Sequence, residues 1–118
     1  MGHPMDITIW HNPRCAKSRQ TLELLRNRGI EPKVVEYLKN PPSQDEIRRV
    51  LDLLGIHAHA LIRQGEAVYK DEGLSEKTGE AGLVEAMVHH PILIERPVVI
   101  TGEAAKIGRP PEAVLEIV

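Results

Sequence analysis

The sequence has no phenylalanine, one tryptophan and two tyrosines. Single-stranded nucleic acids are held by stacking bases on aromatic rings, so that function class is excluded. The core must come from Leu, Ile, Val, Ala and Met. There is also no excess of positive charge: 15 Lys and Arg stand against 17 Asp and Glu, a net charge of −2. The chain as a whole therefore does not attract nucleic acid or an anionic membrane, and any anion site must be local. No apolar run approaches the roughly 20 residues of a membrane span. The opening residues MGHPMD lack the basic-then-apolar pattern of a secretory signal, so the expected location is the cytoplasm. Residues 1–5 read equally as a native start or as part of a vector-derived tail. Cys15 is the single cysteine. It has no intramolecular disulfide partner and suits a reducing compartment.

Apolar residues make up 42% of the 118-residue chain and charged residues 27%, the balance of a globular domain with one core. Ile7 to Trp10 reads as a buried strand, broken by Pro13. A helix follows from about Cys15 to Arg28, with Ser18, Leu22 and Leu25 at helical spacing and Gly29 as its stop. Lys33 to Tyr37 is a second strand, so the first third is a βαβ unit with parallel strands. Ser43 and Glu46 form a capping box ahead of the apolar face of Ile47, Val50, Leu51 and Leu54. A short helix is expected near residues 58–63, a polar loop from Lys70 to Gly82, and a helix carrying Leu83, Val84, Met87 and Val88 up to Pro91. Residues 96–101 and 104–108 read as a hairpin through Gly102, and residues 110–118 as a closing helix with proline in its first turn. The order is β-α-β, a helical insertion at about 42–91, then β-β-α. That is the order of an α/β thioredoxin-like fold, with a mixed four-stranded sheet flanked by helices in a single domain spanning residues 1–118.

The stretch HNPRCAKSR, His11 to Arg19, concentrates the candidate chemistry. A lone cysteine can be a small buried hydrophobe. Cys15 also opens a helix, where free backbone amides and the helix dipole favour a thiolate, and Arg14, Lys17 and Arg19 add positive charge. A thiolate is the nucleophilic form, and the same amides suit an oxyanion. His11 is either a structural hydrogen-bonding residue or a group that tunes the thiol. Ser18 is either a helix-start residue or a hydroxyl within reach of the sulfur. A C-x-x-C redox pair would need cysteine where Ser18 stands. A phosphatase-type C-x5-R loop would need arginine where Thr21 stands. Arg19 is accordingly expected to run along the helix rather than back into the loop. His57, His59, His89 and His90 have no zinc-like spacing with cysteines or carboxylates, so no metal is expected. Arg63, Arg96 and Arg109 are each either solvated or oxyanion-binding. Arginine's planar fork suits paired, charge-assisted bonds to an oxyanion.

Five stretches in order, ITIWHNPRCAKSRQTLELL, EPKVVEYLKNPP, HALIRQGEAVYK, HPILIERPVVI and IGRPPEAVLEI, give the chain a resemblance to the glutaredoxin-coupled arsenate reductase (ArsC-like) family, whose relatives include Spx-type regulators. The resemblance implies that Cys15 is the nucleophile, that His11 lowers its pKa and that Ser18 lies near the thiolate. Arg63, Arg96 and Arg109 fall where the family holds its oxyanion, and Pro97 where the fold carries a cis-proline. The implied reaction is reduction of arsenate to arsenite through a cysteine–arsenate adduct. Glutathione acts as co-substrate, glutaredoxin completes the reduction, and no cofactor is bound. Arsenate or a similar oxyanion, glutathione and glutaredoxin are the implied partners; nucleic acid and membrane are not. Members of this type read NPxCGTSR, whereas this chain carries Arg14, Ala16 and Lys17 in that motif, as a short-branch member. Two other activities follow from the same resemblance: a glutathione-linked thiol oxidoreductase acting on another small substrate, and an Spx-like module binding RNA polymerase. Ser18 removes the C-x-x-C switch that such regulators often use.

Overall fold

The central strand β1 (Thr8–His11) pairs on one side with β2 (Lys33–Glu36) in parallel and on the other with β3 (Val98–Ile100) antiparallel. β4 (Ala105–Ile107) extends β3 antiparallel, giving the sheet order β2-β1-β3-β4. These relations come from a computed structural model of the protein that describes residues 6–118; the origin of residues 1–5 lies outside the described residues. The mixed four-stranded sheet with β-α-β and β-β halves is the architecture expected from the sequence. The described residues divide into two units, residues 6–40 with 96–118, and residues 41–95.

In the first unit, α1 (Ala16–Asn27) connects β1 to β2. Its buried face is Ser18, Thr21, Leu22 and Leu25, a spacing of three and four residues. Leu22 and Leu25 join Ile7, Ile9, Val99 and Val114 in one apolar cluster, against which Ile30, Val34, Ile117 and Val118 pack. The helix ends where Gly29 takes a φ of +77°, which lets Ile30 N–H return to the Leu25 carbonyl at 3.0 Å. The other two buried positions of this face are polar, and both hydroxyls are hydrogen-bonded. The chain closes in a 3₁₀ helix at Pro111–Glu116, tighter than the ordinary helix expected there.

The second unit is helical. α2 (Gln44–Leu54) starts with the capping box read from the sequence: Glu46 N–H donates to Ser43 Oγ at 3.1 Å, and Ser43 N–H to Glu46 Oε1 at 2.9 Å. Ile47, Val50 and Leu51 are its buried face, and Gly55 ends it in the left-handed region. α3 (Ala58–Leu61) is a single turn whose Ala58 N–H donates to Glu80 Oε2 at 2.9 Å. α4 (Ala67–Asp71) takes up Lys70 and Asp71, which were assigned to the polar loop; it has no fully buried residue and so left no apolar periodicity to read. α5 (Glu80–His89) begins before the expected Leu83 and buries Leu83, Val84 and Met87. A 3₁₀ turn at Pro91–Leu93 follows. An isolated antiparallel bridge joins Ile62 to Ile94. Among the described residues no helix is long and apolar enough to cross a membrane.

Candidate functional site

The site is built on the loop between β1 and α1. Asn12 folds the loop back on itself: Cys15 N–H donates to the Asn12 carbonyl at 3.0 Å, and Arg14 N–H to Asn12 Oδ1 at 3.0 Å. Pro13 carries no N–H to satisfy in this turn. Arg19 holds the loop from outside, its Nη1 donating to the Pro13 carbonyl at 2.9 Å. The expectation that Arg19 runs along the helix is therefore corrected. One turn of helix puts residue 19 level with the loop, and the open carbonyl of a proline turn accepts it.

Cys15 is the N-cap of α1, partly exposed and without a side-chain cap bond. The backbone N–H groups of Lys17 and Ser18 point at its sulfur, as the first amides of a helix must. Arg96, which precedes Pro97 ahead of β3, reaches the sulfur with its side chain. Arg109, which follows β4, brings Nη2 to 3.7 Å from it. Burial pushes the thiol pKa up, but the Ser18 N–H, the Arg96 side chain, the Lys17 N–H and the charge of Arg109 together hold it below its ordinary value. The first amides of α1 lower the thiol pKa as a helix start implies, but the charged side chains that act are Arg96 and Arg109 rather than Arg14, Lys17 and Arg19.

The two arginines are fastened to each other. Arg109 Nε donates to the Arg96 carbonyl at 2.9 Å, and Gly108 N–H to the Pro97 carbonyl at 2.9 Å. The Arg96–Pro97 peptide bond is cis, and so is Arg109–Pro110, which the sequence reading did not single out.

His11 and Ser18 sit behind the sulfur. Ser18 is fully buried. Its Oγ lies 2.6 Å from His11 Nδ1 and accepts the Asn12 N–H at 3.0 Å. The hydroxyl is thereby committed to the end of β1 and the loop, and it is the backbone N–H of Ser18 that serves the sulfur. His11 is 7% exposed, and burial lowers its pKa; Glu36 raises it, while Arg26 and Arg19 lower it. With the imidazole proton on Nε2, Nδ1 accepts and Ser18 O–H donates to it; with the proton on Nδ1, the direction reverses.

This linkage has a pH signature. The unfolded chain protonates His11 at a higher pH than the native state does. The His11 contribution is therefore fully present above about pH 6.5, the ordinary histidine value, and is lost as pH falls through the native pKa. Urea midpoints at about pH 7.5 and about pH 5.5 should fall more steeply for wild type than for His11→Asn, whose amide replaces Nδ1 without titrating. Equal falls in the two proteins would contradict this role.

Arg63 belongs to the second unit. Its Nη1 meets Glu95 Oε1 at 2.9 Å and its Nε meets Glu66 Oε2 at 3.3 Å. Burial lowers its pKa, but Glu95 and Glu66 outweigh that and raise it. Cys15, His11, Ser18, Arg96, Arg109 and Pro97 are brought together within the first unit. Two contributors were missed, Asn12 and Gly108. The signals were an Asx side chain just before a proline and a glycine flanking one of the arginines. Among the described residues no group of three or more His, Cys, Asp or Glu side chains is arranged to hold a metal ion.

A mixed four-stranded sheet with a single thiol at the start of α1, faced by the turn ahead of β3, defines a thioredoxin-like protein. The sequence pattern of the ArsC family matches residues 10–117, and the chain belongs to that family. It is 49% identical to the protein YfgD of Escherichia coli K12 over 95% of this chain and 96% of that one. It is 48% identical to an arsenate reductase of Escherichia coli over 95% of this chain and 80% of that one. The solved structure of an arsenate reductase from Vibrio cholerae superposes with a TM-score of 0.94 at 45% identity, over 98% of this chain and all of that one.

Proposed function

We propose that the protein reduces arsenate to arsenite, with Cys15 as nucleophile and glutathione and glutaredoxin as the source of electrons. The observation that carries this reading is the Cys15 sulfur held between the first amides of α1 and the guanidinium of Arg109, 3.7 Å away. That setting lowers the thiol pKa and so favours the thiolate, and donors that stabilise it are equally suited to the oxygens of an incoming tetrahedral anion. Attack forms a sulfur–arsenic bond and expels one arsenate oxygen as water. Reduction needs two electrons, so two thiols become one disulfide and arsenic leaves as arsenite. Cys15 is the single cysteine, so the second thiol comes from another molecule, which is the part given to glutathione. Glutaredoxin then returns the thiols to their reduced form. No bound cofactor is needed for this balance.

Arg96 and Arg109 hold the oxyanion in this scheme, and His11 and Ser18 brace the nucleophile. Arg63 has a proposed share in anion binding, moderated by its ion pairs with Glu66 and Glu95. The helical segment at about 42–91 is read as an insertion in one domain, and the dependence on reduced glutathione fits the cytoplasm. The arsenate reductases among the relatives support the substrate. Arg14, Ala16 and Lys17 beside the thiol, where the resembling reductases read NPxCGTSR, favour a second reading in which the same chemistry serves another small substrate.

The test is NADPH oxidation coupled through glutathione reductase, with arsenate, glutathione and glutaredoxin omitted in turn. An arsenate-dependent rate that disappears with each omission is expected. A rate absent with arsenate but present with a small glutathione mixed disulfide would replace the first reading by the second. No rate with either substrate would remove both readings.

A further inference from the structure

We propose that Gly108 is a positioning residue of the site: its missing side chain lets α1, the Arg96–Pro97 turn and Arg109 close around the Cys15 sulfur. A Cβ built on Gly108 would lie 2.6 Å from Thr21 Oγ1 and 2.7 Å from Pro97 Cγ. Both distances are well inside van der Waals contact. Pro97 is held in a ring, and Thr21 is fully buried with its hydroxyl donating to the Lys17 carbonyl at 2.8 Å. Neither can simply swing away. Each of the three neighbours of Gly108, Thr21, Pro97 and Arg109, belongs to an element that supplies a group acting on the sulfur. Thr21 hangs from the turn of α1 whose Lys17 and Ser18 amides face the sulfur. Pro97 follows Arg96 directly, and Arg109 follows Gly108. Gly108 N–H also donates to the Pro97 carbonyl at 2.9 Å, beside the bond from Arg109 Nε to the Arg96 carbonyl. Adding a methyl group must push at least one of these elements outward by a few tenths of an ångström. The bond from Arg109 to the sulfur, at 3.7 Å, has little room to lengthen before it is lost.

The inference rests on the thiolate reading of Cys15, and its test separates the two. The rate of iodoacetamide alkylation is followed against pH for wild type, Gly108→Ala and Gly102→Ala. Gly102 lies in the turn of the same hairpin, and a Cβ there meets nothing within 4 Å. Gly108→Ala is expected to move the alkylation profile to higher pH and to slow the reaction at about pH 6 by about tenfold, while Gly102→Ala follows wild type. A wild-type profile like that of a free thiol overturns the thiolate reading itself. A depressed wild-type profile that Gly108→Ala leaves unchanged, or that Gly102→Ala moves as far, overturns the role of Gly108 alone. If Gly108→Ala does not fold, Gly108→Ala combined with Thr21→Ala removes one of the two clashes and is compared with Thr21→Ala alone. A profile displaced only in the double variant supports the role, whereas an unmoved profile or a failure to fold makes Gly108 a packing residue and overturns it.

Discussion

Cys15→Ser is expected to bring arsenate-dependent turnover down to the rate without enzyme, a loss of about a thousandfold or more. The variant should lose nothing in stability, and this makes it informative. Cys15 occupies the N-cap of α1 without making a cap bond through its side chain. Serine is among the preferred residues at that position, and its hydroxyl accepts the same Lys17 and Ser18 amides that now face the sulfur. The helix therefore gains a cap of about 1 kcal/mol while the chemistry loses its nucleophile. The chemical reason is acidity. Surroundings that lower the pKa of a thiol cannot bring an alcohol, which is far less acidic, to its ionised form, and the ionised sulfur is the attacking form. Thermal unfolding should give a midpoint equal to or above that of wild type. A midpoint well below it would mean that the sulfur packs in a way the N-cap geometry does not account for. Residual arsenate-dependent turnover in a folded Cys15→Ser protein would remove Cys15 from the reaction.

Arg109→Ala is expected to lower kcat/KM for arsenate by about ten- to a hundredfold, the range of a lost hydrogen bond to a charged group. Arg109 acts at two points, through Nη2 on the sulfur and through Nε on the Arg96 carbonyl. Its loss removes a positive charge from beside the thiolate and also releases the bond that fastens it to the Arg96 turn. The sign of the pH effect follows. The charge of Arg109 helps to hold the thiol pKa down, so without it the thiol ionises at higher pH. Alkylation and turnover should both shift to higher pH, with the deficit largest on the acid side. Arg109→Lys keeps a charge but cannot bridge sulfur and carbonyl with one planar group, and should fall between the two. Arg109→Ala with an unchanged alkylation profile and an unchanged KM would show that the 3.7 Å contact carries neither function.

The parts of the fold that were legible are those where one local signal had a single physical meaning. Ser43 with Glu46 announces a helix start, and Gly29 and Gly55 end helices in a conformation that favours glycine. The alternation of strand, helix and strand before Asn40 fixes a parallel pair. α4 was illegible because it buries none of its residues, and the closing 3₁₀ helix because an apolar run after two prolines looks the same at three or at 3.6 residues per turn. In the site, Cys15 was legible from its place after a proline turn. The direction of Arg19 was not, because spacing along a helix does not say whether a long side chain points forward or back. The sequence left the hydroxyl of Ser18 open between the helix start and the sulfur, and the structure commits it to His11 and Asn12. Spacing gave the right helix face, but competition among buried polar groups decided the partner. Arg96 and Arg109 were singled out for the prolines beside them, while the bond from Arg109 to the Arg96 carbonyl lies between residues thirteen apart in sequence.

The place of Ser18 bears on how this fold can change its redox style. Position 18 is where a dithiol relative would carry its second cysteine, three residues after the first. Here the side chain is fully buried and turned toward the end of β1. A hydroxyl has one hydrogen and two lone pairs, and the Asn12 amide and the His11 imidazole draw on them from fixed directions. A thiol is larger and a weaker partner for both, so a cysteine introduced at 18 would begin by unfastening the nucleophile's own support. Acquiring an internal disulfide would thus require the β1–α1 junction to be rebuilt first. On the proposed chemistry, a single Ser18→Cys change would not by itself free the chain from a thiol supplied by another molecule.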